Sequence, residues 1–566
     1  VCFSYTGVAT PLCTGQTQES VLVRIPHAFG GGYPTTDVEA GQVALYTGEF
    51  QTTATDVTVP GYGSNLTLER SHLSFTGTGD VKAWPTDPVT GVFGPGFTAN
   101  LEGDDAVGLA GMDVVDQRMS DGTIALLDDE GGALVFVNAT GKTGTVVGAL
   151  VPGTEDTALS GVTATITGTA AAPSLVVTES DGTKTTFVPV TGGASKNLDW
   201  RPASIAEPGQ AGSTTFGHDP TTGVVTRIVA PLPDGLSGTA CPTSGALAAG
   251  CRAIDLSYTT VTDPNGKQVQ RLSQVSAVMY NAGTKTVESK PVTRYTYDSL
   301  SRLSRVTDVR SNLSTSYTWE GSTTRIRTIT PSGLAGYTLN YAANPDASVP
   351  TQVVKNVQRG AQTSGGAPVQ IASIVYNVPV SGSGLPNLSE DGIAAWVKDD
   401  PGTPEYLAQK PVNGYAVFGP DKPVTALVGS GVSAADLQYA DLQYINSEAY
   451  TVNTASYGAG AWQITATRYD DHGNVIRELD ATAIQTAIAD PSLEGSQVDD
   501  LGTRTVFNDE KKDATGKVIL PAGSVVTETF GPARTVMLAD GTTQRLRPHT
   551  RTTYDAVSYT HLTLPT

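Results

Sequence analysis

From residue 123 onward one phrase recurs: a short run of alternating apolar and polar residues, a cluster of turn formers, then a second alternating run. Alternation with a period of two puts every second side chain on one face of a strand. Asp, Asn, Gly and Pro between two such runs reverse the chain and let the runs pair. Thr123 to Val137 reads as strand, acidic turn, strand. Ser174 to Val188 reads the same way, with Asp181 and Gly182 as a two-residue turn, and so does Thr259 to Val269 around Asp263-Pro264-Asn265-Gly266. An isolated hairpin cannot bury a core, so hairpins that follow one another must pair side by side. The expected fold class is mainly β: stacked antiparallel hairpins in one long curled sheet, with a few short helical insertions.

The composition fits many short strands joined by tight turns. Gly (62) and Pro (34) together make about one residue in six of the 566, above the usual share, while charged residues are only 16%. Helix signals are confined to the last third. Ser389 is an N-cap before Glu390, Asp391 and the apolar face Ile393, Trp396, Val397. Ser433 to Tyr439 has room for one or two turns, and Ala481 to Ala489 for a third helix. The net charge of −20 is spread without a basic stripe, which argues against a nucleic-acid partner. No apolar run reaches the roughly 18 residues of a membrane helix.

One repeat carries more detail than the rest. In Arg294-Tyr295-Thr296-Tyr297-Asp298 the two tyrosines share a strand face. Ser299 to Ser301 makes a turn, and Arg302 starts the return strand, so Asp298 and Arg302 are expected to pair across the base of the loop. A second copy runs Arg468-Tyr469-Asp470-Asp471-His472-Gly473-Asn474, with Gly473 at the left-handed position of a bulged hairpin loop. A third opens at Tyr554-Asp555. Thr214 to Ile228 and Tyr317 to Ile329 are weaker relatives.

These copies resemble the YD repeat, Tyr-x-Tyr-Asp-x-x-Gly-Arg-Leu, of the RHS family. Ser301 stands where the pattern has glycine, and Asn474 where it has arginine. The blocks Val59 to Arg70, Gly91 to Phe97, Ile374 to Gly384 and Ala416 to Asp421 also resemble non-repeat parts of large actinobacterial members, so the likeness spans roughly residues 20–556. It implies a shell: in teneurins and insecticidal toxin-complex proteins such repeats form a spiralling β-sheet that closes into a hollow cocoon, and in bacterial polymorphic toxins the cocoon encloses a variable C-terminal toxin. The family's self-cleavage motif, close to Asp-Pro-x-Gly-Leu, is not matched. Asp263-Pro264-Asn265-Gly266 is followed by Lys267, and Asp87-Pro88 and Asp219-Pro220 read as turns.

On this reading the chain is a fragment, truncated at Val1, with its C-terminal partner domain beyond it. The expected organisation is a lead-in segment (1–58), an N-terminal shell portion (59–290), a YD-repeat portion (291–556) and a tail (557–566) that resembles a translated sequencing adapter. Cys2/Cys13 and Cys241/Cys251 form two local pairs without zinc-knuckle spacing. They are expected as disulfides of an exported protein, the alternative being four unrelated thiols.

Sites for chemistry are sparse. The six histidines, His27, His72, His218, His472, His549 and His561, show no metal-ligand spacing, and nucleophile elbows and phosphate loops are absent, so neither cofactor nor metal is expected. The acidic groups Asp104-Asp105, Asp128-Asp129-Glu130, Asp399-Asp400 and Asp499-Asp500 read as solvated turns, with a Ca²⁺ site or a glycosidase pair as less favoured readings. The expectation is a non-enzymatic shell of a secreted or surface protein of a bacterium. It would enclose and deliver its own C-terminal toxin domain in competition between bacteria. The alternative is a wall-associated adhesin that binds glycan or a neighbouring cell.

Overall fold

The computed structural model describes residues 28–60, 65–74, 92–100, 114–118 and, with short breaks, 122–554, together with the strand pair Cys2–Phe3 and Leu12–Cys13. The fold is mainly β. A single antiparallel ladder runs from Val114–Arg118 to His549–Arg551, nearly every strand pairing its predecessor and its successor in the chain. The ladder as a whole does not close into a barrel. Its first eight strands do close locally. Asn197–Ala206 pairs through Asn197 to Trp200 with Val115 to Arg118, while Ser204 and Ile205 on the same edge pair with Thr215 and Thr214. This ring has its own core of Ile124, Leu126, Phe136, Ile166, Leu175, Val177, Phe187 and Trp200. The rest of the ladder grows from the second half of the 197–206 strand.

A separate antiparallel sheet precedes the ladder in sequence: Thr35–Asp37, Gln42–Ala44, Glu49–Val59, Leu66–Leu73 and Phe97–Asn100. It packs on one face of the ladder, here called inner. Leu45, Phe50, Leu68 and Phe93 share a core with Ile254, Leu272, Leu303, Ile326, Leu339, Val354, Val357 and Ile374. Burying apolar faces of two sheets against each other is the main stabilising term, about 25 cal/mol per Å². The boundary expected at 58/59 falls inside the strand Glu49–Val59 and that at 290/291 inside Thr286–Tyr297, so neither separates structural units.

A bulge recurs at one place in the hairpins. The register slips between Ser257 and Tyr258, Thr296 and Tyr297, Thr318 and Trp319, Asn340 and Tyr341, and Arg468 and Tyr469. Each bulge adds local right-handed twist, so a ladder with one per hairpin curls in one sense. Among the described residues the opposite, outer face is covered in three places, the third being the stretches with Val380, Leu385, Leu388, Val424, Val432 and Leu437, which pack over Val375, Ala416 and Leu442. Over Val229, Ala253 and Val278 lies a loop held by the Cys241–Cys251 disulfide, with Leu247 and Cys251 buried beneath it. Reduction, or Cys251→Ala, is expected to cost about 2–3 kcal/mol for a loop of this length. A lower denaturation midpoint in dithiothreitol, unchanged in the variant, would show it.

The second cover is helical. Glu390–Val397 is capped by Ser389, whose hydroxyl accepts from Gly392 N, and Ala481–Ala489 by Asp480, whose carboxylate accepts from Ala483 N at 2.8 Å. Their apolar faces, with Tyr406 and Val498, pack on Ala466 and Leu479 of the ladder. Of the one or two turns expected over Ser433 to Tyr439, Ala434–Leu437 forms one. Two further short helices, Pro404–Gln409 and Gly495–Asp499, were not anticipated from the sequence. The first is announced by Thr403 and Pro404, a cap followed by a proline at the first helical position. Among the described residues no helix is long and apolar enough to cross a membrane.

Candidate functional site

The repeat hairpins share one local design. Asp298 Oδ1 accepts from Leu300 N and Arg302 N, both at 2.9 Å, and its Oδ2 from Arg302 Nε at 2.9 Å. Ser301 sits at φ +64°, the left-handed region, and is buried. Arg302 then reaches out of its own hairpin. Its Nη1 donates to Gly321 O and Thr323 O of the next turn, both at 2.8 Å, and its guanidinium lies 5.3 Å from the Trp319 ring centroid. In the second copy Asp470 Oδ1 accepts from His472 N and Asn474 N at 2.9 Å, with Gly473 at φ +79°. Asn474 repeats the arginine's double role: Nδ2 donates to Asp470 Oδ2 and to Gly523 O of the following turn. Arg271, one hairpin earlier, also reaches the next turn, its Nε donating to Ser301 Oγ at 3.0 Å.

The aromatic residue before each turn completes the link. Tyr297 OH donates to Leu272 O at 2.6 Å and Tyr469 OH to Thr451 O at 3.1 Å. Tyr554 OH donates to Val526 O at 2.9 Å. Four residues not singled out as sites in the sequence join this spine: Tyr258 to Val225 O, Trp319 Nε1 to Leu303 O, Tyr341 to Ile326 O and Tyr376 to Val354 O. In every case the acceptor lies in the adjacent, preceding strand. The only hint in the sequence is Tyr317-x-Trp319-Glu320, which keeps the spacing of Tyr295-x-Tyr297-Asp298 with Trp and Glu substituted. Glu320 pairs with Arg325 as Asp298 does with Arg302. Asp555 lies outside the described residues.

Tyr295, one turn of the pleat away from Tyr297, faces the N-terminal sheet instead. Its OH donates to Asp56 Oδ2 at 2.8 Å. Asp56 also accepts from Arg70 Nε, at 2.9 and 3.0 Å to its two oxygens, and Arg70 Nη1 donates to Tyr317 OH at 2.7 Å. The Asp56 and Arg70 side chains are 3% and 5% exposed, so the ion pair is sealed between the two sheets. Burial pushes the Asp56 carboxyl up from its ordinary value, against the pull of Arg70 and the Tyr295 hydroxyl. One pleat along, His72 lies within ring contact of Phe50, Phe97 and Trp319, and Nε2 meets Thr324 O at 2.8 Å. Tyr297 OH also donates to Val92 O, and Leu272 N to the same carbonyl. Gly94, at φ +88°, passes so close to the 298–302 turn that a Cβ there would stand 2.5 Å from Ser301 O. The repeat tyrosines thus do two things: they tie hairpin to hairpin, and they fasten the N-terminal sheet across the ladder.

Gly473 tests the hairpin design. Gly473→Ala puts a Cβ 2.4 Å from Tyr450 Oη at a left-handed φ. It is expected to destabilise the 461–479 hairpin by about 2 kcal/mol or more, read as faster hydrogen exchange in those strands alone.

The other sequence candidates fall elsewhere. Cys241 and Cys251 are bonded to each other. Cys2 stands opposite Cys13 in the register of their short strand pair, and their side chains lie outside the described ones. Asp499 and Asp500 are not a shared site: Asp499 accepts from Arg477 and Asp500 from Arg547, each at 2.6 Å. The pairs at 104–105, 128–130 and 399–400 lie outside the described residues, as does the 557–566 tail. Asp263 and Asp219 head their turns, Asp263 Oδ1 accepting from Lys267 N and Asp219 Oδ1 from Thr221 N and Thr222 N. Among the described residues no group of three or more His, Cys, Asp or Glu is placed to hold a metal ion.

No family model and no curated protein matches the chain. Among solved structures it is similar to the crystal structure of TcdB2-TccC3-TEV, with 14% identity and a TM-score of 0.22 over 78% of this chain and 21% of that one. It is also similar to a Photorhabdus luminescens Tc holotoxin pore carrying a TccC3 mutation, with 13% identity and a TM-score of 0.20 over 78% of this chain and 19% of that one. The chain therefore spans about a fifth of the length of the chains it matches.

Proposed function

We propose that the chain is part of the wall of a secreted RHS-type β-shell, a non-enzymatic container that encloses and delivers a toxin domain carried C-terminally in the complete protein. The aromatic spine carries this reading. A wall that must curl around a cargo needs each hairpin fixed in angle to the last, and one bulge plus one buried hydrogen bond per hairpin supplies that. The docked N-terminal sheet occupies the inner face from strand 197–206 as far as strand 451–458, where Gln443 Nε2 donates to Thr35 O and Thr451 N to Gly32 O, so this stretch serves as a closed end and the cargo space lies further along the ladder. The Cys241–Cys251 disulfide favours an oxidising destination outside the cytosol.

The test is protection of the cargo. In the complete protein, the region C-terminal to this chain should resist a protease that digests it when expressed alone. The triple change Tyr297→Phe, Trp319→Phe, Tyr341→Phe, which removes three spine donors, should expose it. Equal digestion of the enclosed and free C-terminal region would end the container reading.

A further inference from the structure

The bulges that curl the ladder also place a pair of adjacent side chains on its outer face. Leu303 and Val306 point into the shared inner core, so Ser304 and Arg305 between them both face out; Thr296 stands opposite Arg305 and Tyr297 opposite Leu303. Ile326 and Ile329 bracket Arg327 and Thr328 in the same way, and Val354 and Val357 bracket Lys355 and Asn356. Successive bulges are two strands apart, which spaces Arg305, Arg327 and Lys355 about 10 Å from one to the next along the sheet. Arg294, exposed and opposite Gln274, adds a fourth cation beside the row.

None of these four is in an ion pair among the described residues. Arg294 donates to Gln274 Oε1, Arg305 to Ser314 Oγ and Arg327 to Leu339 O, all neutral acceptors. Of the acids between 292 and 359, Asp298, Asp308 and Glu320 sit at strand ends or in turns and are taken by Arg302, Arg310 and Arg325. Asp346 lies in the loop after the strand Tyr337–Ala343. In a chain of net charge −20 this face carries, among the described residues, a row of cations with no carboxylate between them; Glu288, near the start of strand 286–297, is taken by Lys290. The half-buried and exposed side chains around the row are Thr296, Ser316, Thr318, Thr328 and Asn340, all able to hydrogen-bond hydroxyls.

We infer that the outer face of strands 286–359 binds a linear anionic polymer of the polyol phosphate type, the chemistry of bacterial wall polymers. Charge complementarity selects phosphate, the hydroxyl and amide side chains suit a polyol, and a flexible phosphodiester chain can set phosphates against cations at 10 Å intervals. Single-stranded nucleic acid fits less well. Its tight binding uses aromatic platforms for the bases, and Tyr295, Tyr297, Tyr317, Trp319, Tyr337 and Tyr341 all belong to the inner core. The site is independent of whether the shell encloses a cargo.

The experiment uses the whole chain and fluorescently labelled poly(glycerol phosphate), followed by anisotropy. Three phosphate contacts released as counterions give a log–log salt slope of about −2, so affinity should fall roughly twenty-fold between 50 and 200 mM salt. The variant Arg305→Gln, Arg327→Gln, Lys355→Gln should lose at least ten-fold. Arg305→Lys with Arg327→Lys, which keeps the charge, should stay within about three-fold of the parent. Removing the same charge elsewhere, with Lys184→Gln, Lys285→Gln and Arg534→Gln, should leave binding within two-fold. Absence of binding at 50 mM salt, an equal loss in the control variant, or equally tight binding of single-stranded DNA would each overturn the proposal.

Discussion

Arg70→Met is expected to loosen the N-terminal sheet from the ladder by about 3–5 kcal/mol, the usual cost of leaving one member of a buried ion pair without its partner. Asp56 would remain buried with, among the described residues, only the Tyr295 hydroxyl donating to it, and Tyr317 OH would lose its donor. Methionine keeps most of the volume between Phe97 and Tyr317, where the guanidinium now stacks, so the loss reports charge rather than a cavity. The readout is local, because a chain of this size need not unfold in one step. Hydrogen-exchange protection in Leu66–Leu73 should fall by about two to three and a half orders of magnitude at about 1.4 kcal/mol per decade, with little change in the 124–189 ring. The double variant Asp56→Asn, Arg70→Met removes the stranded charge while keeping an acceptor for Tyr295, and should recover about 2 kcal/mol or more. If the single variant exchanges like the parent, the pair does not hold the sheets together.

The fold class was readable because hairpins are local: alternation and turn residues lie within a dozen positions of one another, and Ala133–Asn138 returns against Ile124–Leu127 as the pattern at 123–137 requires. The helices at 390–397 and 481–489 were legible for the same reason, through Ser389 and Asp480. The interface between the sheets was not. Asp56 and Tyr295 are 239 residues apart, and nothing near Asp56 distinguishes it from a surface acid of an alternating strand. Most of the spine was hidden differently. Its acceptors are main-chain carbonyls, which leave no mark in the sequence, and its donors change from phenol to indole at Trp319. Asn474 looked like a departure from the repeat, yet its amide reaches both the Asp470 carboxylate and the next turn, as the Arg302 guanidinium does. The pattern conserves a geometry, one donor group bridging two turns, and more than one side chain meets it. The turn at 181–182 shows the limit of dipeptide rules. Asp181 itself lies outside the described residues; Gly182 is left-handed, but its N–H donates to Glu179 O and Glu179 N to Thr183 O, so the closing bonds run from Glu179 to Thr183 and do not bracket the Asp-Gly pair alone.

Stability of the docked sheet should also fall as pH drops from 6.5 towards 4, and His72 supplies the reason. Its ring has no exposed surface and is surrounded by Phe50, Phe97 and Trp319. Burial pushes its pKa down to about 4, only partly offset by the bond to Thr324 O. With Nε2–H donating to that carbonyl, a second proton would go to Nδ1, which has no partner inside the interface. In the unfolded chain the imidazole titrates near 6.5, so between 6.5 and 4 the unfolded state binds the extra proton and the folded state does not. The contribution of a neutral His72 is therefore complete above pH 6.5, declines through the window, and levels off below the folded pKa. The difference of about 2.5 pH units corresponds to roughly 3 kcal/mol. His218 is also held down, to about 4, by burial and by Arg201, so acid will strain the junction of ring and ladder as well. His72→Leu separates the two. It keeps an apolar side chain in the aromatic cage, and at pH 4.5 hydrogen exchange in Leu66–Leu73 should be slower in the variant than in the parent, while at pH 7.5 the order reverses because Thr324 O has lost its donor. A pH dependence identical in parent and variant would show that His72 does not carry the effect.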